Sequence, residues 1–116
     1  MLNLTSNLKI FLATGHTDMR NGIHGLSVLA QDHLLQKPSD GALFVFRGKS
    51  ADKIKILWFD GQGFCLFYKC LERGKFTWPA CGSKTSIGVT GAQLSMLLEG
   101  IDWRNPKWSD APERVA

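Results

Sequence analysis

The strongest constraint on the fold is a β-hairpin signal in the middle of the chain. Two runs rich in aromatic and branched residues, 53–59 and 64–71, flank the turn sequence Asp60-Gly61-Gln62-Gly63. Glycine readily adopts the positive φ angles of tight hairpin turns, which favours direct antiparallel pairing of the two runs. Pairing Phe59 with Phe64 then fixes which side chains share a face of the sheet.

Both faces of this hairpin are partly apolar. One face carries Ile54, Ile56, Trp58, Cys65, Phe67 and Lys69, and the other carries Lys53, Lys55, Leu57, Phe59, Phe64, Leu66, Tyr68 and Cys70. We expect one face to pack on a helix, because an apolar sheet face must be buried against another element. The second face is either half covered or presents aromatic rings beside lysines to a partner.

The remaining strands and helices lie on both sides of the hairpin. Residues 42–47 extend it to a three-strand antiparallel meander, and shorter strands are predicted at 8–13 and 85–89. A first helix follows the turn at 14–18, with Thr17 or Asp18 as its N-cap. Its apolar stripe consists of Met19, Ile23, Leu26, Ala30 and Leu34.

A second helix begins at a capping box formed by Thr90 and Gln93, and Gly100 is expected to end it. Together these elements predict an α+β fold, an antiparallel sheet of four or five strands packed by two helices. The length of 116 residues fits one domain. We place a single compact domain at residues 1–104 and an extended, flexible C-terminal tail at 105–116.

The N-terminal sequence lacks the basic start and apolar run of a signal peptide, and no apolar stretch is long enough to span a bilayer. We therefore expect a cytoplasmic protein without a membrane partner. Three cysteines, Cys65, Cys70 and Cys81, are an odd number for a disulfide framework. They are interpreted as small apolar residues or free thiols.

Positive charge is concentrated in one part of the chain. Residues 47–75 hold seven basic and three acidic side chains, and so account for the whole formal net charge of +4. A local positive field attracts polyanions such as nucleic acids. The candidate DNA-binding residues are Arg20, Arg47, Lys49, Lys53, Lys55, Lys69, Arg73 and Lys75. The alternative is an ordinary solvated surface rich in lysine.

A second candidate site is an anion site at the start of the first helix. Gly15, His16, Thr17 and Arg20 combine backbone amides, a hydroxyl and a guanidinium, which suit a DNA phosphate. The competing interpretation is helix capping by Thr17 or Asp18, with Arg20 paired to a carboxylate. Both interpretations can hold at once.

No catalytic site, metal site or cofactor is expected. Metal-assisted nuclease chemistry requires clustered carboxylates, whereas Asp60 lies in a hairpin turn and Glu72 lies among basic neighbours. His16, His24 and His33 do not have the spacing of a zinc motif.

Five segments carry a family resemblance. They are 13–22, 43–48, 54–63, 71–79 and 97–103. In this order and spacing they resemble the accessory protein, of the TnpB or Orf2-like type, that is encoded in bacterial insertion sequences of the IS66 family. The similarity covers roughly residues 8–104. Among the matching positions are Thr17, Asp18, Arg20, Arg47, Lys55, Asp60, Lys69, Glu72, Arg73 and Lys75.

The resemblance implies a helper in transposition, encoded beside a larger transposase that carries the catalytic carboxylates. Its expected partners are the DNA of the element, the transposase and the other accessory protein. One hypothesis is non-catalytic DNA binding through the basic surface. The alternative is a subunit that docks on the transposase without contacting DNA, with Trp78, Trp103 and Trp108 as partner-binding candidates. The third hypothesis is a small nuclease that uses Asp60 or Glu72.

Overall fold

The computed structural model describes residues 8–32, 41–79 and 83–101. In this part of the chain, five strands form one sheet in the order β4-β3-β2-β1-β5, with two helices. The elements are β1 (Ile10–His16), α1 (Ile23–Asp32), β2 (Leu43–Arg47), β3 (Lys53–Phe59), β4 (Phe64–Cys70), β5 (Ser86–Val89) and α2 (Gly91–Leu98). The predicted α+β class is confirmed. His33, Leu34, Cys81, Trp103, Trp108 and the predicted tail at 105–116 lie outside the described residues.

The hairpin forms in the predicted register. Phe59 pairs with Phe64 and Lys53 pairs with Cys70, so the two predicted faces are confirmed. At the turn, the Asp60 N–H donates to the Gly63 carbonyl, and Gly61 has a φ of 98°. β2 joins β3 in antiparallel pairing, which completes the predicted three-strand meander.

The sheet is mixed, whereas the sequence predicted antiparallel pairing throughout. β1 and β2 run parallel, with Ile10 opposite Leu43. The helix α1 lies between these two strands in sequence and returns the chain to the edge from which β1 starts, so that β2 runs in the same direction. β5 closes the other side of β1 in antiparallel pairing.

The sheet lies between the two helices, with one apolar layer on each face. On one face Leu94 and Leu97 of α2 pack on Ile10, Leu12, Leu43, Val45, Ile54 and Ile56, with Phe76. On the other face Leu26 and Ala30 of α1 pack on Ala13, Phe44, Phe46 and Leu57. We call these the α2 face and the α1 face. The buried strand residues contact a helix on either side, which explains the continuous apolar run of β2.

The first helix begins later than predicted, and neither Thr17 nor Asp18 is its N-cap. The first helical hydrogen bond runs from the Leu26 N–H to the Gly22 carbonyl. The Asp18 carboxylate instead accepts the backbone N–H of Arg20, and the Asn21 amide donates to the Asp18 carbonyl. These local bonds compete with capping and delay the start of the helix.

The second helix has both predicted end signals. The Thr90 hydroxyl accepts the Gln93 N–H, and the Gln93 side chain accepts the Thr90 N–H, which completes the capping box. At the other end Gly100 has a φ of 78°, and the Ile101 N–H donates to the Met96 carbonyl. This is the Schellman arrangement, in which glycine removes the cost of a left-handed residue.

We expect Thr90→Ala to lower the free energy of unfolding by about 1 kcal/mol, because it removes the side-chain acceptor from a short helix. Urea denaturation followed by circular dichroism measures the change. Thr90→Ser keeps a hydroxyl at the same position and is the matched control. Equal unfolding midpoints for the alanine and serine variants would show that the box contributes nothing.

Within the described ranges, no helix combines the length and the hydropathy that crossing a bilayer requires. Cys65 is half-buried and Cys70 is exposed, and both are free thiols.

Candidate functional site

The topology brings four loops to one end of the sheet. β1, β2 and β4 finish at this end, and β3 and β5 begin there. We call these loops the basic end and define them as residues 15–20, 48–52, 71–75 and 83–85. The Leu71 N–H donates to the Asp52 carbonyl at 2.8 Å and so joins two of the loops, and the Thr14 N–H of β1 donates to the Thr85 carbonyl at 3.0 Å.

Two open clefts lie on either side of the β1–α1 loop at the basic end. One, of about 390 Å³, lies between Thr14, Phe46 and Lys84. The other, of about 530 Å³, lies between His16, Lys49 and Lys53. The loop therefore forms a ridge between two shallow depressions. Each depression has at least one lysine in its wall.

A bulge in β1 shapes the first cleft. Leu12 is opposite Val45, but His16 is opposite Arg47, so β1 has two more residues than β2 over this stretch. The carbonyl of Ala13 in this bulge accepts the Trp78 indole N–H at 2.8 Å. Trp78, predicted as a partner-binding residue, thus makes an internal contact and packs on the α2 face.

The six cations among the predicted DNA-binding residues other than Arg20 and Arg47 fall into two groups in the structure. Lys49, Arg73 and Lys75 are exposed in the loops of the basic end. Lys53 lies beside them and is half-exposed, with its ammonium 3.4 Å from an oxygen of Asp52. An exposed pair of this kind is worth little and leaves the lysine able to contact another anion.

The second group is used inside the protein. The Lys55 side chain is only 7% exposed, and its ammonium donates to the carbonyls of Met19 (2.7 Å) and Asn21 (2.8 Å). The Lys69 ammonium donates to the Leu98 carbonyl at 2.7 Å, near the end of α2, where a cation is favoured. Neither ammonium points freely into solvent.

Arg47 is half-buried on the α2 face. Its guanidinium lies 5.8 Å from the centre of the Trp78 ring, and one nitrogen donates to the Gly48 carbonyl. Its Nε is buried without a hydrogen-bond partner among the described residues. The position of this side chain suits packing between the sheet and the 76–79 segment better than contact with a polyanion.

Arg20 forms a bidentate pair with Asp18. Its Nε and Nη2 donate to the carboxylate, the shortest contact being 2.7 Å, although the arginine side chain is 90% exposed. The side-chain and backbone hydrogen bonds from Arg20 lower the pKa of Asp18 to about 2. The pair holds the Arg20 guanidinium against the β1–α1 loop. This is the carboxylate pairing that sequence analysis left open for Arg20.

We expect the Asp18 carboxyl to titrate with a midpoint near pH 2 and to move toward the ordinary value of 3.8 in Arg20→Gln. Its pKa is lowered in the folded state, so the pairing persists above the unfolded pKa and is lost as the pH falls through the folded one. Carboxyl chemical shifts from NMR measure both midpoints. A wild-type midpoint near 3.8 would mean that the pair does not form in solution.

The other residues of the predicted helix-start site lie in the same loop. Gly15 and His16 are exposed, but the Thr17 N–H donates to the Arg47 carbonyl at 2.8 Å, so this amide is already used. The helix itself begins at Ile23. The structure therefore places His16 in the wall of the cleft that Lys49 and Lys53 also line, and leaves Gly15 and Arg20 in the same loop rather than at a helix terminus.

The predicted turn role of Asp60 is confirmed. Its carboxylate accepts the backbone N–H groups of Gln62 and Gly63, which lower its pKa. Asp60 lies at the end of the sheet opposite the basic end, whereas Glu72 lies in it. Among the described residues, no group of three or more His, Cys, Asp or Glu side chains is placed to hold a metal ion.

The sequence placed Tyr68 among several aromatic residues that alternate with basic residues in the 47–75 stretch, where an exposed ring could stack on a base, and it gave no sign of a role for Lys84. Tyr68 is 49% exposed on the α1 face, and the Lys55 ammonium lies 4.8 Å from its ring centre. Alternation along β4 assigned Tyr68 to this face but gave no sign of how far α1 covers it. Lys84 reaches the basic end because β5 starts there, which follows from topology alone.

The chain is similar to one protein family and to two proteins of one organism. Residues 8–108 match the family model described as "IS66 Orf2 like protein". The uncharacterized protein y4hO of Sinorhizobium fredii (strain NBRC 101917 / NGR234) is 49% identical over 115 residues, covering 99% of each chain. Uncharacterized protein y4jC of the same organism is 36% identical over 107 residues, covering 92% of this chain and 91% of its own. No solved structure matches the chain.

Proposed function

The chain belongs to the IS66 Orf2-like family of accessory proteins in transposition, and from that premise we propose that it binds the DNA of its insertion sequence through the basic end. The binding is non-catalytic in this proposal. The chain supplies a positively charged surface, and the separate transposase supplies the chemistry. The protein acts in the cytoplasm, where the element, its DNA and its transposase are located.

The observation that carries the proposal is the clustering of exposed cations. Lys49, Arg73, Lys75 and Lys84 come from three loops, and they lie at the same end of the sheet as Lys53, the first residue of β3. Asp52 and Glu72 are the acidic side chains of those loops. Lysines on several loops at one end can neutralise successive phosphates along a DNA backbone, which gives salt-dependent affinity without sequence readout.

The shape of the basic end fits the same ligand. The β1–α1 ridge with Arg20 stands between two shallow clefts whose walls include Lys49, Lys53 and Lys84. A convex ridge flanked by cations can contact phosphates on both of its sides. Open clefts of this kind do not enclose a small molecule, which favours an extended polyanion as the ligand.

The second candidate is a subunit that docks on the transposase or on the other accessory protein. Ile23 and Val28 of α1 favour it, because they are 40% and 41% exposed. Large apolar side chains at the surface are common at protein interfaces. In this alternative α1 contacts the partner protein, and the basic end orients the complex of the two proteins.

A gel-shift titration on the terminal repeats of the element tests the proposal. It uses the protein alone and with its transposase, at two salt concentrations, against unrelated DNA of equal length. We expect a shift with the protein alone that weakens as salt rises, because bound cations on DNA are released. A shift that requires the transposase supports the docking subunit. No shift under any of these conditions rejects DNA binding by this chain.

A further inference from the structure

The ring of Tyr68 has an unusual environment for the middle of a strand. It lies on β4, an outer strand of the described sheet, and is 49% exposed on the α1 face. The Lys55 ammonium lies 4.8 Å from the ring centre, and the Cys70 thiol lies against the hydroxyl and raises its pKa. The Lys55 ammonium therefore contacts the ring, while about half of the residue, 49%, is exposed to solvent.

The neighbours of this ring connect it to the basic end. Lys55 also binds the carbonyls of Met19 and Asn21, so the ridge that carries Arg20 lies next to Tyr68. Lys53 is opposite Cys70, one step along the same face. A chain of phosphates that contacts Lys53 and Arg20 would thus pass beside the exposed part of the Tyr68 ring.

We propose that Tyr68 is a stacking platform for an unpaired base, and that the basic end therefore prefers single-stranded or frayed DNA to a closed duplex. The inference rests on the proposed DNA-binding function and specifies its ligand. An aromatic ring stacks on any base, but the bases of an intact duplex are already stacked on one another and cannot reach it. The Lys55 ammonium makes a cation–π interaction with the Tyr68 ring, which favours one orientation of the ring.

Phe64 provides an internal comparison. It lies on the same face of β4 and is also exposed, at 37%, but it is located at the turn end of the strand. Its ring meets Phe59 edge to face, with centres 5.2 Å apart, and no cation of the basic end lies next to it. A base that is held by the phosphate contacts of the basic end would not reach Phe64.

Fluorescence anisotropy with labelled oligonucleotides of one sequence, single-stranded and duplex, tests the proposal. The variants are Tyr68→Leu, which keeps apolar bulk over Lys55 but has no aromatic face, Tyr68→Phe, which keeps the ring, and Phe64→Leu as the matched control. We expect Tyr68→Leu to weaken single-strand binding by between about 5-fold and 100-fold. We expect duplex binding by all variants, and single-strand binding by Tyr68→Phe and Phe64→Leu, to stay within about 2-fold of wild type.

Tyr68 is the chain's single tyrosine, so photocrosslinking to a strand that carries 5-bromodeoxyuridine gives an independent readout by peptide mapping. A crosslink at Tyr68 supports the proposal. Salt-dependent binding of both DNA forms with equal affinity, unchanged in Tyr68→Leu, overturns the stacking platform and leaves the DNA-binding function intact. Binding of neither form by the wild-type protein overturns both. Equal losses in Tyr68→Leu and Phe64→Leu also overturn the specific role of Tyr68.

Discussion

We expect Lys55→Met to lower the free energy of unfolding by about 2 kcal/mol. The substitution keeps an unbranched side chain that is one heavy atom shorter, and it removes the ammonium that donates to the carbonyls of Met19 and Asn21. A hydrogen bond from a charged donor contributes about 1.5–3 kcal/mol, and methionine recovers part of this by burying more apolar surface. Urea denaturation of both proteins measures the difference.

Lys53→Met is the matched control. Lys53 lies two residues earlier on the same face, but its side chain is half-exposed, and its ammonium lies 3.4 Å from an oxygen of Asp52. We expect a change within about 0.5 kcal/mol. Amide hydrogen exchange at residues 19–22 should become faster in Lys55→Met and stay unchanged in the control. Equal stability of the two variants would show that the buried ammonium does not hold the β1–α1 loop.

The difference between Lys53 and Lys55 marks a limit of sequence analysis. Strand alternation correctly placed both on one face. What separates them is the loop that carries Met19 and Asn21, more than thirty residues earlier in the chain, which covers one lysine and not the other. No local pattern encodes such a contact, because it depends on how α1 is placed on the sheet. On the other face, the hydrogen bond from the Lys69 ammonium to the Leu98 carbonyl of α2 also depends on how a helix is placed on the sheet, and no local pattern encodes it.

The features that sequence predicted correctly have local causes. The turn at Asp60–Gly63 fixes the register of β3 and β4, and one register determines the face of every side chain in the hairpin. The capping box of Thr90 and Gln93 begins α2, and Gly100 ends it. Both signals involve only residues of this helix and its immediate flanks. Residues a few positions apart meet regardless of the rest of the fold, which is why these signals are readable in one sequence.

The parallel pairing of β1 and β2 and the late start of α1 were not predicted, and both have competing interactions as their cause. The sequence of a short apolar strand such as β1 does not indicate whether it pairs in parallel or antiparallel. The helix α1 that follows β1 determines that β1 and β2 run parallel. At the helix start, Asp18 is a good N-cap residue by type, but Arg20 is close enough to bind its carboxylate first. The basic end follows from the same topology, since it brings Lys84 to loops far from it in sequence.

Reversing three charges at the basic end, Lys49→Glu, Arg73→Glu and Lys75→Glu together, should have the largest effect on DNA binding. These side chains are exposed in loops, so the fold should be retained. We expect the affinity at low salt to fall by about 100-fold, and the slope of log affinity against log salt to become shallower by about 3, near one for each lost phosphate contact. Anisotropy titrations over a series of salt concentrations measure both quantities.

The control for this result is a lysine at the opposite end of the sheet. Lys9 is exposed and directly precedes β1, and its backbone carbonyl accepts the Leu43 N–H. Lys9→Glu changes the net charge by as much as Lys75→Glu alone, so a protein attracted to DNA by its total charge would lose affinity equally in both. A localised surface predicts a reduced salt slope for Lys75→Glu and an unchanged slope for Lys9→Glu. Equal slopes for the two single variants would therefore reject the basic end as the DNA-binding surface, because they would show that position on the sheet has no influence.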